Sequence, residues 1–154
     1  MNYACSAGIG AVSGLRTMSG PALVSEAARE HRIDLSHTPL QWLGSRHTAT
    51  VTAVLAAGEL IADKLPSTPS RTIPPSLVVR AISGAVCGYA VCGKSGSKSD
   101  KWLAAALGAA GALAASYAGL EYRKRVKLPK FIAALAEDAF TFAAGAAVIR
   151  AIGR

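Results

Sequence analysis

The sequence predicts an all-α fold: a polytopic transmembrane bundle of about five hydrophobic helices, the first of them kinked or broken. Three observations carry this. Hydrophobic residues fill 51% of the 154 positions and charged residues only 17%, against roughly 25% charged in soluble domains; mean hydropathy is +0.33. The apolar content is rich in Ala and includes 15 Gly, with 6% aromatics. Small residues bury little area from water but let helices approach closely in lipid. Long uncharged runs alternate with segments that carry Lys and Arg, the pattern of membrane loops. No alternating ten-residue segment recurs, which disfavours a barrel. The length suits one domain, 1–154.

The first stretch, 1–24, holds Arg16 at its middle and Gly20–Pro21 beyond it. Proline lacks a backbone donor, and the residue before it avoids the α region. A break is expected here, with Thr17 and Ser19 placed to satisfy loosened backbone groups. Residues 26–47 are polar and read as a loop, with a short interfacial helix anchored by Trp42. The second stretch, 48–65, ends in Glu59 and Asp63. A turn at 66–75 follows, holding Pro66, Pro69, Pro74 and Pro75; proline at this density excludes helix and imposes order.

The third stretch, 76–93, contains Arg80. The loop KSGSKSDK at 94–101 is flexible and polar. The fourth stretch is 102–122, then the most basic segment, EYRKRVKLPK at 121–130. The fifth is 131–152, with Glu137 and Asp138 inside it. A span needs about 20 apolar residues. Five spans place Arg29, Arg32, Arg46, Lys94, Lys98, Lys101, Arg150 and Arg154 on one side. Lys64, Arg71, Arg123, Lys124, Arg125, Lys127 and Lys130 lie on the other. That balance supplies no orientation.

Net charge is +8. The basic residues form no stripe, so nucleic acid is disfavoured as a partner and anionic lipid head groups account better for the excess. The three cysteines, Cys5, Cys87 and Cys92, form no metal-type pair and read as small buried residues. His31, His37 and His47 all lie in or beside the first loop and read as solvated. No metal, cofactor or catalytic constellation is expected, since no nucleophile–base set or phosphate loop is present.

Small residues recur four apart at Ala104, Gly108, Ala112 and Ser116, and again at Gly111, Ala115 and Gly119. Gly84–Gly88 and Gly10–Gly14 repeat the spacing. Such rows pack helices within a chain or between two copies. A homodimer is expected, because a bundle this small has little interior for a pathway.

Charges inside apolar stretches are the strongest functional signal, since each costs at least about 2.5–3.5 kcal/mol at the bilayer centre. Glu59 and Asp63, one turn apart, share a helix face. With Glu137 or Asp138 they make a candidate site for a cation, a proton or a small solute. Arg16, Lys64, Arg71 and Arg80 would supply counter-charge. The turn residues Pro66, Thr68, Pro69 and Thr72 would form a rigid cap over the acidic face. Two other readings stand beside this one: ion-pair staples in a non-transporting, lipid-interacting membrane protein, and a membrane enzyme on lipid-linked substrates.

GLRTMSGPALVS at 14–25, GELIADKLPSTPSRT at 58–72 and LPKFIAALAEDAF at 128–140 resemble the bacterial membrane-protein family named domain of unknown function 4126. The shared pattern is a GLR-T-x-x-x-P opening, an E-x-x-x-DKLP-x-TP-x-R-T segment and a late ED pair. It covers nearly the whole chain and falls on Arg16, Glu59, Asp63, Lys64, Pro66, Pro69, Arg71, Glu137 and Asp138. The resemblance implies a small multi-pass protein of the bacterial inner membrane and brings no activity with it.

Overall fold

The structure, a computed structural model, describes residues 3–62, 74–125 and 130–152. All of its regular elements are helical: α1 (Tyr3–Leu15), α2 (Ser19–Arg29), a 3-10 turn (Gln41–Gly44), α3 (Arg46–Ala62), α4 (Pro74–Cys92), α5 (Lys98–Arg125) and α6 (Lys130–Ile152). The all-α expectation holds, with six helices rather than five because the first stretch is two.

The break falls at Arg16–Met18, just ahead of the proline. Pro21 sits in the first turn of α2, where a missing N–H costs nothing because first-turn donors have no partner inside the helix. Had the helix run on, Pro21 would have left the Thr17 carbonyl unbonded and crowded it. Contrary to the sequence expectation, α2 continues through Arg29 into the region read as loop.

The two half-helices fold back on each other. At the start of α1 the Tyr3 hydroxyl donates to Asp100 Oδ1 at 2.9 Å. Beyond the end of α2 the Lys94 N–H donates to the Asp34 carbonyl at 2.7 Å. Lys94 lies in the α4–α5 connection and Asp100 in the first turn of α5, so the chain enters and leaves the bundle at the same end. The first stretch is therefore a helical hairpin whose two ends lie at the same end of the bundle. At 1.5 Å per residue, α1 carries its tip about 20 Å into the bundle.

Pro74 and Pro75 belong to the first turn of α4, which corrects their assignment to a non-helical turn. The physical reason is again the free donors of a helix start. α4 ends in Gly93 at φ +61°, the left-handed position that favours glycine after a helix.

α1, α4 and α5 interlock through glycine. A Cβ on Gly10 would strike the Gly108 carbonyl, and one on Gly14 would strike the carbonyl of Ala112. Gly84 and Gly108 block each other in the same way, Gly88 lies on Ala104, and Gly111 lies on the Ala7 carbonyl. The small-residue rows read from the sequence are thus filled within the chain.

Among the described residues, two helices are long and apolar enough to cross a membrane: α4, and α5 over Lys98–Tyr122, with mean hydropathies of 1.4 and 1.6. α3 has 17 residues. Five spans are thus not what the described residues present: the hairpin turns back, and the apolar criterion is met by two helices.

Candidate functional site: the stitched tip of a helical hairpin

The tip exposes backbone groups that an unbroken helix would pair. Five of them, the N–H groups of Thr17 and Met18 and the carbonyls of Gly14, Leu15 and Thr17, meet side chains from other elements, while the Arg16 carbonyl accepts the Ser19 N–H. Glu59, near the end of α3, accepts the Thr17 N–H on Oε1 and the Met18 N–H on Oε2, both at 2.8 Å. A carboxylate on these donors complements the positive end of α2.

The carbonyl side is complementary. Arg80 of α4 donates through Nη1 to the Gly14 carbonyl and, at 3.2 Å, to that of Leu15. Ser116 of α5 donates to the Gly14 carbonyl at 3.0 Å. Ser83, one turn beyond Arg80, donates at 2.7 Å to Thr17 O, the carbonyl that Pro21 cannot bond. Cationic Arg80 thus meets the negative end of α1. Its Nη2 lies 3.9 Å from Glu59 Oε1, closing a loose pair across the break.

Arg16 turns inward and is 0% exposed. Its Nη2 forms a salt bridge with Asp138 Oδ1 of α6. Glu137, the other member of the acidic pair, is also buried; its Oε1 lies 3.9 Å from where a Cβ on Gly119 would sit. The buried Thr141 hydroxyl donates back to the Glu137 carbonyl at 2.7 Å.

The structure therefore gathers Arg16, Glu59, Arg80 and Asp138 at the hairpin tip, drawn from the break and from α3, α4 and α6. It does not merge the carboxylates: Glu59 serves the tip backbone, and Asp138 serves Arg16. Asp63, Lys64, Pro66, Thr68, Pro69, Arg71 and Thr72 lie outside the described residues. Thr17 and Ser19 do not repair the break with their side chains as expected. The Ser19 hydroxyl is buried and makes no hydrogen bond, while side chains from neighbouring helices reach the backbone instead. Ser83 and Ser116 carry functions that sequence reasoning missed. The available signal for Ser83 was its place three residues after Arg80, on the same helix face.

Polarity is inverted around this centre. Arg16, Ser13, Ser19, Ser25 and Thr141 are almost wholly buried, whereas Val54, Ile61, Val78, Ile82, Leu103, Phe140 and Phe142 are exposed. Proteins surrounded by water expose fewer large apolar side chains and almost never bury a charge without a partner. Among the described residues no cluster of three metal-ligating side chains occurs, and the three cysteines are buried and unbridged.

At the α4–α5 end, the loop after α2 is tied down by Asp34. Its Oδ1 accepts the Ser36 hydroxyl at 2.6 Å and the Ser36 N–H at 2.9 Å. Its Oδ2 lies 3.2 Å from Lys94 Nζ. These partners, Ser36 first and Lys94 after it, hold the carboxyl down at about 2. His31 and His37 in this loop take positive φ, 59° each. A cavity of about 550 Å³ opens beside them, lined by Ala28, His31, Ile33, Asp34, Leu35, Ser36, Gln41 and Gly44.

One family model matches residues 3–151, that of a domain of unknown function, DUF4126. No curated protein and no solved structure matches the chain.

Proposed function

We propose, for a chain that belongs to the DUF4126 family, that it is a multi-pass membrane protein whose hairpin tip handles a small ion or a proton. The observation that carries this is the tip itself. Non-helical backbone at membrane depth is tolerated where it is buried in protein or lines a water-filled cavity, and it recurs in selectivity elements and transporter sites. Here it is ringed by Arg16, Glu59, Arg80 and Asp138. Ion pairs are an inefficient source of stability: replacing a buried pair by well-packed apolar groups is often neutral or stabilising. Charges kept in a bundle this small are therefore read as functional. The apolar outer surface supports placement in a membrane, and the family resemblance supports the bacterial inner membrane.

A second reading is favoured by the completeness of the bonding. Glu59 and Arg80 cap the two half-helices so well that the charges could be staples in a protein that transports nothing. Flux measurements separate the two. The protein is reconstituted in liposomes, and dissipation of imposed H⁺, Na⁺, K⁺ and Cl⁻ gradients is compared for wild type, Glu59→Gln and Asp138→Asn. The proposal expects flux of one ion above empty liposomes, lost in the variants. No flux of any of the four, with both variants strongly destabilised, would leave the staple.

A further inference from the structure

We infer that α3 is a hinged flap, latched onto the hairpin tip by Glu59. Its hold on the bundle is slight along most of its length. The buried stripe is Ala49, Thr52 and Ala56, which together bury little apolar area. Val54 and Ile61 on its other faces are 65% and 68% exposed. It packs chiefly on α2 and the 3-10 turn, outside the glycine-locked set of α1, α4 and α5. Next to Glu59, a Cβ on Gly58 would meet nothing within 4 Å.

The helix is fixed instead at its two ends. At the start, the Ser45 hydroxyl accepts the Thr48 N–H at 3.1 Å, and the Thr48 hydroxyl donates to the Trp42 carbonyl at 2.9 Å. This cap ties α3 to the 3-10 turn and makes that end the hinge. Near the other end, Glu59 takes the two tip N–H groups at 2.8 Å and faces Arg80. Charge-assisted hydrogen bonds are roughly twice as strong as neutral ones, and here they act where apolar packing is thin. Releasing one carboxylate loosens the far end of α3 and bares the donors of Thr17 and Met18. Elements with few buried apolar contacts open locally at lower cost than the core. The flap is a property of the fold and does not depend on whether the tip carries an ion.

Hydrogen exchange by mass spectrometry, with the full chain in lipid nanodiscs, tests this. In wild type the amides of 50–60 should exchange faster than those of α5. In Glu59→Gln they should exchange at least tenfold faster again, with α5 changed by less than twofold. Wild-type protection of α3 equal to that of α5 would overturn the inference, and so would a uniform rise through the bundle in Glu59→Gln. If that variant does not fold, the wild-type comparison of α3 with α5 still decides the matter.

Discussion

Arg16 and Asp138 form a buried salt bridge that joins the hairpin tip to α6 across 122 positions of sequence. The arginine side chain is fully enclosed and that of the aspartate is 10% exposed. Removing one partner of a buried pair typically costs about 3–5 kcal/mol. Asp138→Asn should therefore lower the unfolding temperature markedly in detergent. The double variant Arg16→Met/Asp138→Leu should recover much of the loss. A double variant as unstable as the single one would show that the pair is irreplaceable by packing.

Gly108 and Gly58 should respond oppositely to alanine. At Gly108 the new Cβ would strike the carbonyl of Gly84, a backbone atom that cannot swing aside, so α4 and α5 must separate. Overpacking of this kind costs about 1–3 kcal/mol. At Gly58 nothing lies within 4 Å, so alanine gains helix propensity of up to about 1 kcal/mol without a clash. Thermal unfolding of the two variants checks both signs. Equal effects would refute the interlock.

Acid should loosen the α2–α3 loop late. The folded-state pKa of Asp34 is depressed to about 2 by Ser36 and Lys94. A depressed acid contributes stability that is fully present above its unfolded value, near 3.9, and is lost as pH falls through the folded value. Exchange of the Ser36 amide, corrected for intrinsic rate, should thus be slower in wild type than in Asp34→Asn at pH 5. The difference should shrink as pH falls from about 4 to about 2 and vanish below that. A difference that persists there would assign the loop's order to other groups.

Trp42 and Trp102 are the two tryptophans of the chain, and both are exposed, at 55% and 65%. Trp102 lies two residues from Asp100, at the end where the hairpin enters, and its ring meets Tyr89 edge-on at 6.3 Å. Tryptophan at a membrane surface sits at head-group depth. Fluorescence in liposomes should be quenched more by lipids brominated near the head group than by those brominated at the acyl terminus. Absence of quenching by either would place this end in water.

The helices were legible because their periodic apolar runs and their breakers are local properties. Starts and ends of α4, α5 and α6 agree with the stretches read from hydropathy to within a few residues. Gly20–Pro21 marked the break, since proline acts through its own geometry wherever it lies. The charged residues stood out by their cost in an apolar run, with no knowledge of partners. Pro74 and Pro75 were misread because proline excludes a helix interior but suits a helix start, and density alone does not separate the two.

What the sequence by itself determined is the helical class, the break and the set of charges that must be compensated; each follows from hydropathy, proline stereochemistry and solvation cost. Only the tertiary structure decided that the first stretch turns back on itself, because direction after a break depends on which distant groups receive its ends. It also decided the pairing. Arg16 could have met any of several carboxylates by sequence, and Glu59 any of several cations. Geometry assigned Asp138 to the first and the Thr17 and Met18 amides, with Arg80, to the second. A backbone donor has no letter of its own in the sequence, so a carboxylate held by two of them can be found only in three dimensions.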